Sequence, residues 1–139
     1  MLVVLDTNVL VSGLLSPFGA PGRVVDQVVS ADLQVAFDDR VIAEYIDVLT
    51  RPKFDFAKNH VDALIDHIQL NGVQVSARPL DPGVMPDPSD LPFAEVAVTV
   101  RAAFLVTGNA SHFAFLDEHG VNVVSPSDFI AAIERLAGS

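Results

Sequence analysis

Met1-Leu2-Val3-Val4-Leu5-Asp6-Thr7-Asn8 is the stretch on which the fold turns. Five apolar residues in a row, without polar alternation, read as a strand buried on both faces, the pattern of a parallel sheet covered by helices. Asp6 closes the run and opens a turn. A carboxylate at the C-terminal end of a buried parallel strand points into the crevice where open α/β sheets bind ligands. Asp6 also has a plainer use, as the N-cap of a helix over Thr7–Leu14.

Working outward, strands and helices alternate. Pro17, Gly19, Pro21 and Gly22 break the chain before a helix over Arg23–Ala31, apolar at Val24, Val25, Val28 and Val29. That apolar face suits either plain core or a dimer interface. Leu33–Phe37 is a second strand. Asp38 or Asp39 can cap the next helix, whose apolar face carries Val41, Ile42, Tyr45, Ile46 and Leu49 and which Pro52 stops. A further helix spans about Asn59–Leu70, and Val73–Ser76 is a short edge strand. Arg78–Pro92 holds Pro79, Pro82, Pro86, Pro88 and Pro92, so it is a loop, read as an approach to a site rather than a domain boundary. Helix over Phe93–Val100, strands over Phe104–Val106 and Val121–Val124, and a closing helix over Ser127–Leu136 complete the chain. The expected architecture is three-layer α/β/α with a central, mostly parallel sheet of four to five strands, residues 1–139 forming one domain.

Composition narrows the function. With half its 139 residues hydrophobic the chain can bury a real core, and no apolar run is long enough to cross a bilayer. The N-terminus lacks a cleavable leader, so a cytoplasmic protein is expected. There is no cysteine, hence no disulfide and no thiolate metal site; any metal must be held by oxygen or imidazole. Eight basic against eighteen acidic side chains give a net charge of −10. Broad non-specific nucleic-acid binding, which neutralises phosphates with Lys and Arg, is disfavoured. A nuclease whose phosphate contact is made by metal ions remains open, and the acidity also suits a basic protein partner.

Four acids, Asp6, Glu44, Asp87 and Asp90, sit where such a fold can gather them. Converging carboxylates repel one another unless a cation is present, and Mg²⁺ takes hard oxygen ligands with a few carboxylates and water. Each acid has an ordinary alternative. Glu44, between Val41-Ile42 and Tyr45-Ile46, is favoured near a helix N-terminus by the macrodipole. Asp90 can cap the helix beginning near Leu91, and Asp87 is a turn residue beside Pro88. Val106-Thr107-Gly108-Asn109 leaves a hydroxyl and an amide at the same sheet edge as Asp6, or is merely a strand-to-helix turn.

Together, Leu5-Asp6-Thr7-Asn8-Val9-Leu10, Glu44-Tyr45-Ile46-Asp47-Val48-Leu49, Asp87-Pro88-Ser89-Asp90-Leu91-Pro92-Phe93 and Val106-Thr107-Gly108-Asn109-Ala110-Ser111-His112-Phe113 resemble the PIN-domain family, with a closer likeness to VapC-like toxins of toxin–antitoxin systems. The likeness runs over nearly the whole chain, through Val124-Ser125-Pro126-Ser127-Asp128-Phe129. It implies an endoribonuclease dependent on Mg²⁺ or Mn²⁺, RNA as substrate, a homodimer and inhibition by a basic antitoxin protein. Asp6, Glu44 and Asp90 match the core acidic, metal-holding positions. Thr107 and Asn109 match the polar residues beside them, and Asn8 a residue that orients the first carboxylate. Many members carry a further Asp at the position of Asn109 or of His112; this chain has neither, which leaves one- and two-metal chemistry open, with Asp87 as a substitute, while His112 suits a phosphate contact, a titrating group or a structural role.

Arg51 and Lys53, after the Glu44 helix, are the nearest cations for RNA, or else a solvated helix end where cations suit the dipole. Two other functions fit parts of the pattern. Val3–Val9 faintly resembles the start of haloacid-dehalogenase-like phosphohydrolases, in which Asp6 would be a nucleophile, although Asn8 stands where that family wants a second Asp. A PIN-like scaffold that only binds a partner is the other.

Overall fold

The computed structural model describes residues 1–30 and 32–138. β1 (Leu2–Leu5) runs at the centre of a five-stranded, all-parallel sheet, flanked by β2 (Gln34–Phe37) on one side and β4 (Phe104–Val106) on the other. β3 (Val73–Gln74) and β5 (Asn122–Val124) form the edges, so the order is β3-β2-β1-β4-β5. The uninterrupted apolar run explains the central place of β1: Val3, Val4 and Leu5 are fully buried, as only a strand covered on both faces can be. The expectation of a mostly parallel sheet of four to five strands is met by five strands, all parallel.

α1 (Thr7–Leu15) and α2 (Ala20–Val29) connect β1 to β2, and α3 (Asp39–Leu49) and α4 (Lys58–Asn71) connect β2 to β3. The chain then crosses back through α5 (Leu91–Val100) to β4, passes a 3-10 run over Ala110–His119 to β5, and ends in α6 (Pro126–Ala137). α1 packs on α2 and α3, α3 on α4, and α5 on the 3-10 run, while α6 returns to pack on α2. The first two strands advance one way across the sheet and β4 to β5 the other. The order therefore reverses between β1 and β4, and their C-terminal ends define the crevice at which such sheets bind ligands.

Several boundaries differ from the sequence reading for identifiable reasons. α2 begins at Ala20 rather than Arg23, because Pro21 falls in its first turn, where a missing N–H costs nothing. Ala31, the expected end of that helix, lies outside the described residues. Gly22 is required by packing: a Cβ there would lie 2.1 Å from the Pro17 carbonyl oxygen. Val24, Val25 and Val28 belong to the core, which takes up most of the apolar stripe that also suited a dimer contact. The proline-rich stretch is irregular apart from 3-10 turns over Pro82–Val84 and Pro88–Asp90, and α5 starts two residues early with Pro92 in its first turn. The 3-10 run over Ala110–His119 was not expected; its buried residues Phe113 and Leu116 are three apart, the spacing that stacks side chains in a 3-10 helix.

Candidate active site

The crevice between the ends of β1 and β4 is built around Asp6. Its backbone N–H donates to the Val106 carbonyl at 3.0 Å, so it is held by the sheet ladder itself. Thr107, the residue after β4, donates its hydroxyl to Asp6 Oδ2 at 2.7 Å, and that hydroxyl accepts from the Asn109 N–H at 2.9 Å. Both side chains are buried, Asp6 6% and Thr107 0% exposed. Asp6 occupies the N-cap position of α1 without a side-chain capping bond of full geometry, and the Thr7 and Asn8 N–H groups at the helix start favour its charged form. The carboxylate lines the crevice from there.

Glu44 reaches the same place from α3. Its Oε2 accepts from the Thr7 hydroxyl at 2.5 Å. The next residue fixes that approach: the fully buried Tyr45 donates its hydroxyl to the Leu5 carbonyl at 2.6 Å, fastening α3 to the end of β1. Asp90 arrives from the opposite side at the N-cap of α5, again without a capping hydrogen bond. Asp6, Glu44 and Asp90, with Thr7, Asn8 and Phe54, line one cleft of about 300 Å³.

The electrostatics follow from that crowding. Burial raises the proton affinity of Asp6, with the Thr107 hydrogen bond opposing. Asp90 is pushed up to about 6, by burial first and then by the charges of Asp6 and Asp87, against the opposing pull of His112. Burial and the charges of Asp6 and Glu44 push the Tyr45 phenol well above its usual range. The cleft thus penalises its own negative charge, which a cation would relieve. Among the described residues no three acidic or imidazole side chains converge into a ready-made metal cage. An all-oxygen set around an open cleft fits Mg²⁺, which keeps several waters and takes one or two carboxylates.

The remaining expected residues separate. The Asn8 side chain accepts from the Gly108 N–H at 3.4 Å, tying the start of α1 to the turn after β4, while its backbone N–H favours the charged form of Asp6. Asn109 is exposed on that turn. Asp87 has the turn role: its Oδ1 accepts from the Ser89 N–H and hydroxyl, which lower its proton affinity. His112 Nδ1 is buried and lies 3.6 Å from Asp90 Oδ2, within ion-pair range but too long for a hydrogen bond. Arg51 pairs with Asp47 one helical turn away at 3.0 Å, the solvated helix end that was its alternative. Lys53 lies over the Phe54 ring.

Sequence reasoning missed Thr7, Tyr45 and Phe54, and a network beside the site. Arg40 Nη2 bonds Asp38 Oδ2 at 2.7 Å and its Nη1 bonds Glu95 Oε1 at 2.8 Å; Glu95 Oε2 accepts from the Leu80 N–H at 2.6 Å. This joins α3, which carries Glu44, to α5, which carries Asp90, and to the proline-rich stretch. A signal existed: Glu95 is a lone carboxylate within Phe93-Ala94-Glu95-Val96-Ala97, and a buried charge needs a partner.

Comparison with known proteins places this geometry in context. A family model described as PIN domain matches residues 2–111. No curated protein matches the chain in sequence. Among solved structures, the chain is similar to FitAB bound to the IR36 DNA fragment, at 17% identity, covering 89% of this chain and 94% of that one with a TM-score of 0.59. It is also similar to VapBC2 from Rickettsia felis bound to a DNA fragment from its promoter, at 16% identity, covering 90% and 98% with a TM-score of 0.56. At these identities the likeness concerns the fold.

Proposed function

The chain belongs to the PIN-domain family, whose members are generally nucleases, and we propose that it is an endoribonuclease dependent on Mg²⁺ or Mn²⁺, the toxin of a toxin–antitoxin pair. One observation carries the reading. At the topological switch point, Asp6 is buried at the cleft, and Glu44 and Asp90 enter the same cleft from two other elements. Burial raises the proton affinity of Asp6, and burial with the charges of Asp6 and Asp87 raises that of Asp90, a cost that metal binding would reverse.

Asp6, Glu44 and Asp90 hold the cation in this reading. A cation held there would supply an activated water and neutralise charge developing on the phosphoryl oxygens. The chain's own work is positional. Thr107 holds Asp6 Oδ2 and Thr7 holds Glu44 Oε2, so each carboxylate is oriented by a hydroxyl on one oxygen. Thr107 acts through the Asp6 carboxylate that its buried hydroxyl holds, and Asn109, exposed on the same turn, would position water or the scissile phosphate. At a net charge of −10 the protein has no general attraction for RNA, so the phosphate must be met locally. The same acidity favours a basic antitoxin segment as inhibitor. Fold likeness to FitAB and VapBC2 supports the toxin reading, and a homodimer is part of it.

The test is incubation of purified protein with a mixed RNA pool in Mn²⁺, Mg²⁺ or EDTA, beside Asp6→Asn. Cleavage that needs metal and disappears in Asp6→Asn, whose thermal unfolding stays cooperative, is expected. Cleavage persisting in EDTA, or undiminished in Asp6→Asn, would sink the assignment.

A further inference from the structure

One wall of the acidic cleft is aromatic. Phe54 lines it together with Asp6, Glu44 and Asp90, yet is neither in the core nor fully exposed. It closes the 3-10 turn Pro52–Phe54 that follows α3. Asp55 then adopts a left-handed backbone, φ 51° and ψ 37°, a conformation Asp tolerates better than most residues. That reversal brings Phe56 back against Phe54 with ring centroids 5.4 Å apart and planes 9° from parallel. Phe56 packs against the hydrophobic core, so the outer ring stands on an anchored one. Lys53 Nζ lies over the Phe54 ring, 5.0 Å from its centroid, on a flexible stem that can swing off the ring to leave a face for a base. Among the described residues no carboxylate pairs with Lys53, whereas Arg51 nearby is committed to Asp47.

We propose that Phe54 is a stacking platform for a nucleobase of single-stranded RNA adjoining the cleaved phosphate, with Lys53 meeting a neighbouring phosphate. The inference deepens the ribonuclease reading and rests on it. Single-stranded nucleic acid is commonly held by aromatic rings on which bases stack, combined with cations along the backbone. Here the ring is preorganised by Phe56 and a strained turn, and it sits at the cleft rather than elsewhere on an acidic surface. Lys53 supplies positive charge on this wall where the chain as a whole has none to spare. A duplex, whose bases are already stacked, has no free base face to offer, so the platform selects unpaired RNA.

Phe54→Trp gives a direct readout, since the chain contains no tryptophan. A fluorescein-labelled 12-nucleotide RNA of mixed sequence, single-stranded or annealed to its complement, is titrated with parent, Phe54→Ala, Phe54→Leu and Phe54→Trp in Ca²⁺ in place of Mg²⁺ or Mn²⁺. Expected are a loss of single-strand affinity of about 5- to 150-fold in Phe54→Ala, a similar loss in Phe54→Leu, and near-parental affinity in Phe54→Trp with its indole fluorescence quenched by the RNA. If Phe54→Ala fails to fold, the Leu and Trp variants carry the test. Parental affinity in Phe54→Leu, unquenched fluorescence while RNA binds, or equal binding of the duplex overturns the platform and leaves the ribonuclease reading standing. Quenching by a basic peptide but not by RNA assigns the surface to a protein partner and overturns it too. No RNA binding by the parent, joined with no metal-dependent cleavage, removes both.

Discussion

Asp90→Asn should stabilise the metal-free protein while removing its activity. The Asp90 carboxyl is held at about 6 against an ordinary 3.8, because burial and the charges of Asp6 and Asp87 oppose its ionisation. A folded-state value above the unfolded one means that ionisation costs stability. The cost is absent below about pH 3.8, grows between about 4 and 6, and is complete above that. About two units at 1.36 kcal/mol each set an upper limit near 3 kcal/mol. Solvent in the open cleft screens part of this, leaving about 1–2 kcal/mol. With about 2.1 cal/mol/K of unfolding entropy per residue, a chain of 139 residues gains about 3–4 °C in Tm for each kcal/mol. Asp90→Asn in EDTA at pH 7.5 is therefore expected to melt about 3–7 °C above the parent, with the gap closing at pH 4. Mn²⁺ should invert the order, raising the parent's Tm and leaving the variant nearly unmoved, since a ligand stabilises the state that binds it. Differential scanning calorimetry at the two pH values reads this directly. Equal melting in EDTA at pH 7.5, or a gap wider at pH 4, would refute the reasoning about the cleft's charge.

Three further outcomes follow from contacts around the site. Arg40→Ala leaves Glu95 buried without its ion-pair partner and should cost about 2–4 kcal/mol, discounted from the buried-pair range because the guanidinium is half exposed; adding Glu95→Gln should return part of it, and denaturant midpoints showing no recovery would count against the network. Tyr45→Phe leaves the Leu5 carbonyl without its side-chain donor and should cost about 1 kcal/mol, with unchanged stability in urea melts as the contrary result. Gly22→Ala places a Cβ against the Pro17 carbonyl and should cost about 1–3 kcal/mol through displacement of the turn between α1 and α2; a Tm equal to the parent's would show that the turn yields freely.

Much of the fold was legible because parallel strands buried on both faces write themselves as unbroken apolar runs. Leu2–Leu5 and Phe104–Val106 appear where such runs stand. Helix starts were harder to read. Pro21 looked like a breaker, and only packing of α2 on α1 shows it as a first-turn residue. The 3-10 run over Ala110–His119 carries no 3.6-residue period and so gave no helical signal. At the site, Asp6, Glu44 and Asp90 were legible individually as carboxylates with competing ordinary roles. Their meeting in one cleft was visible only in the fold, which also shows that Asp90 makes no side-chain cap. Asp87 takes up its ordinary turn role through one oxygen, Oδ1, which Ser89 engages, while its charge still bears on Asp90.

By itself the sequence determined what depends on neighbours along the chain: a covered parallel sheet, a carboxylate at the end of its central strand, a thiol-free surface of net negative charge, and a proline-rich approach. The strand order, and with it the crevice between β1 and β4, was decided only in three dimensions, since a local pattern does not say which strands pair. The same holds for Tyr45 on Leu5, Thr7 on Glu44, Arg40 on Glu95 and Phe54 on the acidic cleft. Those contacts join residues far apart in the chain, or place a turn against a distant one, and their energies exist only once the backbone has closed around them.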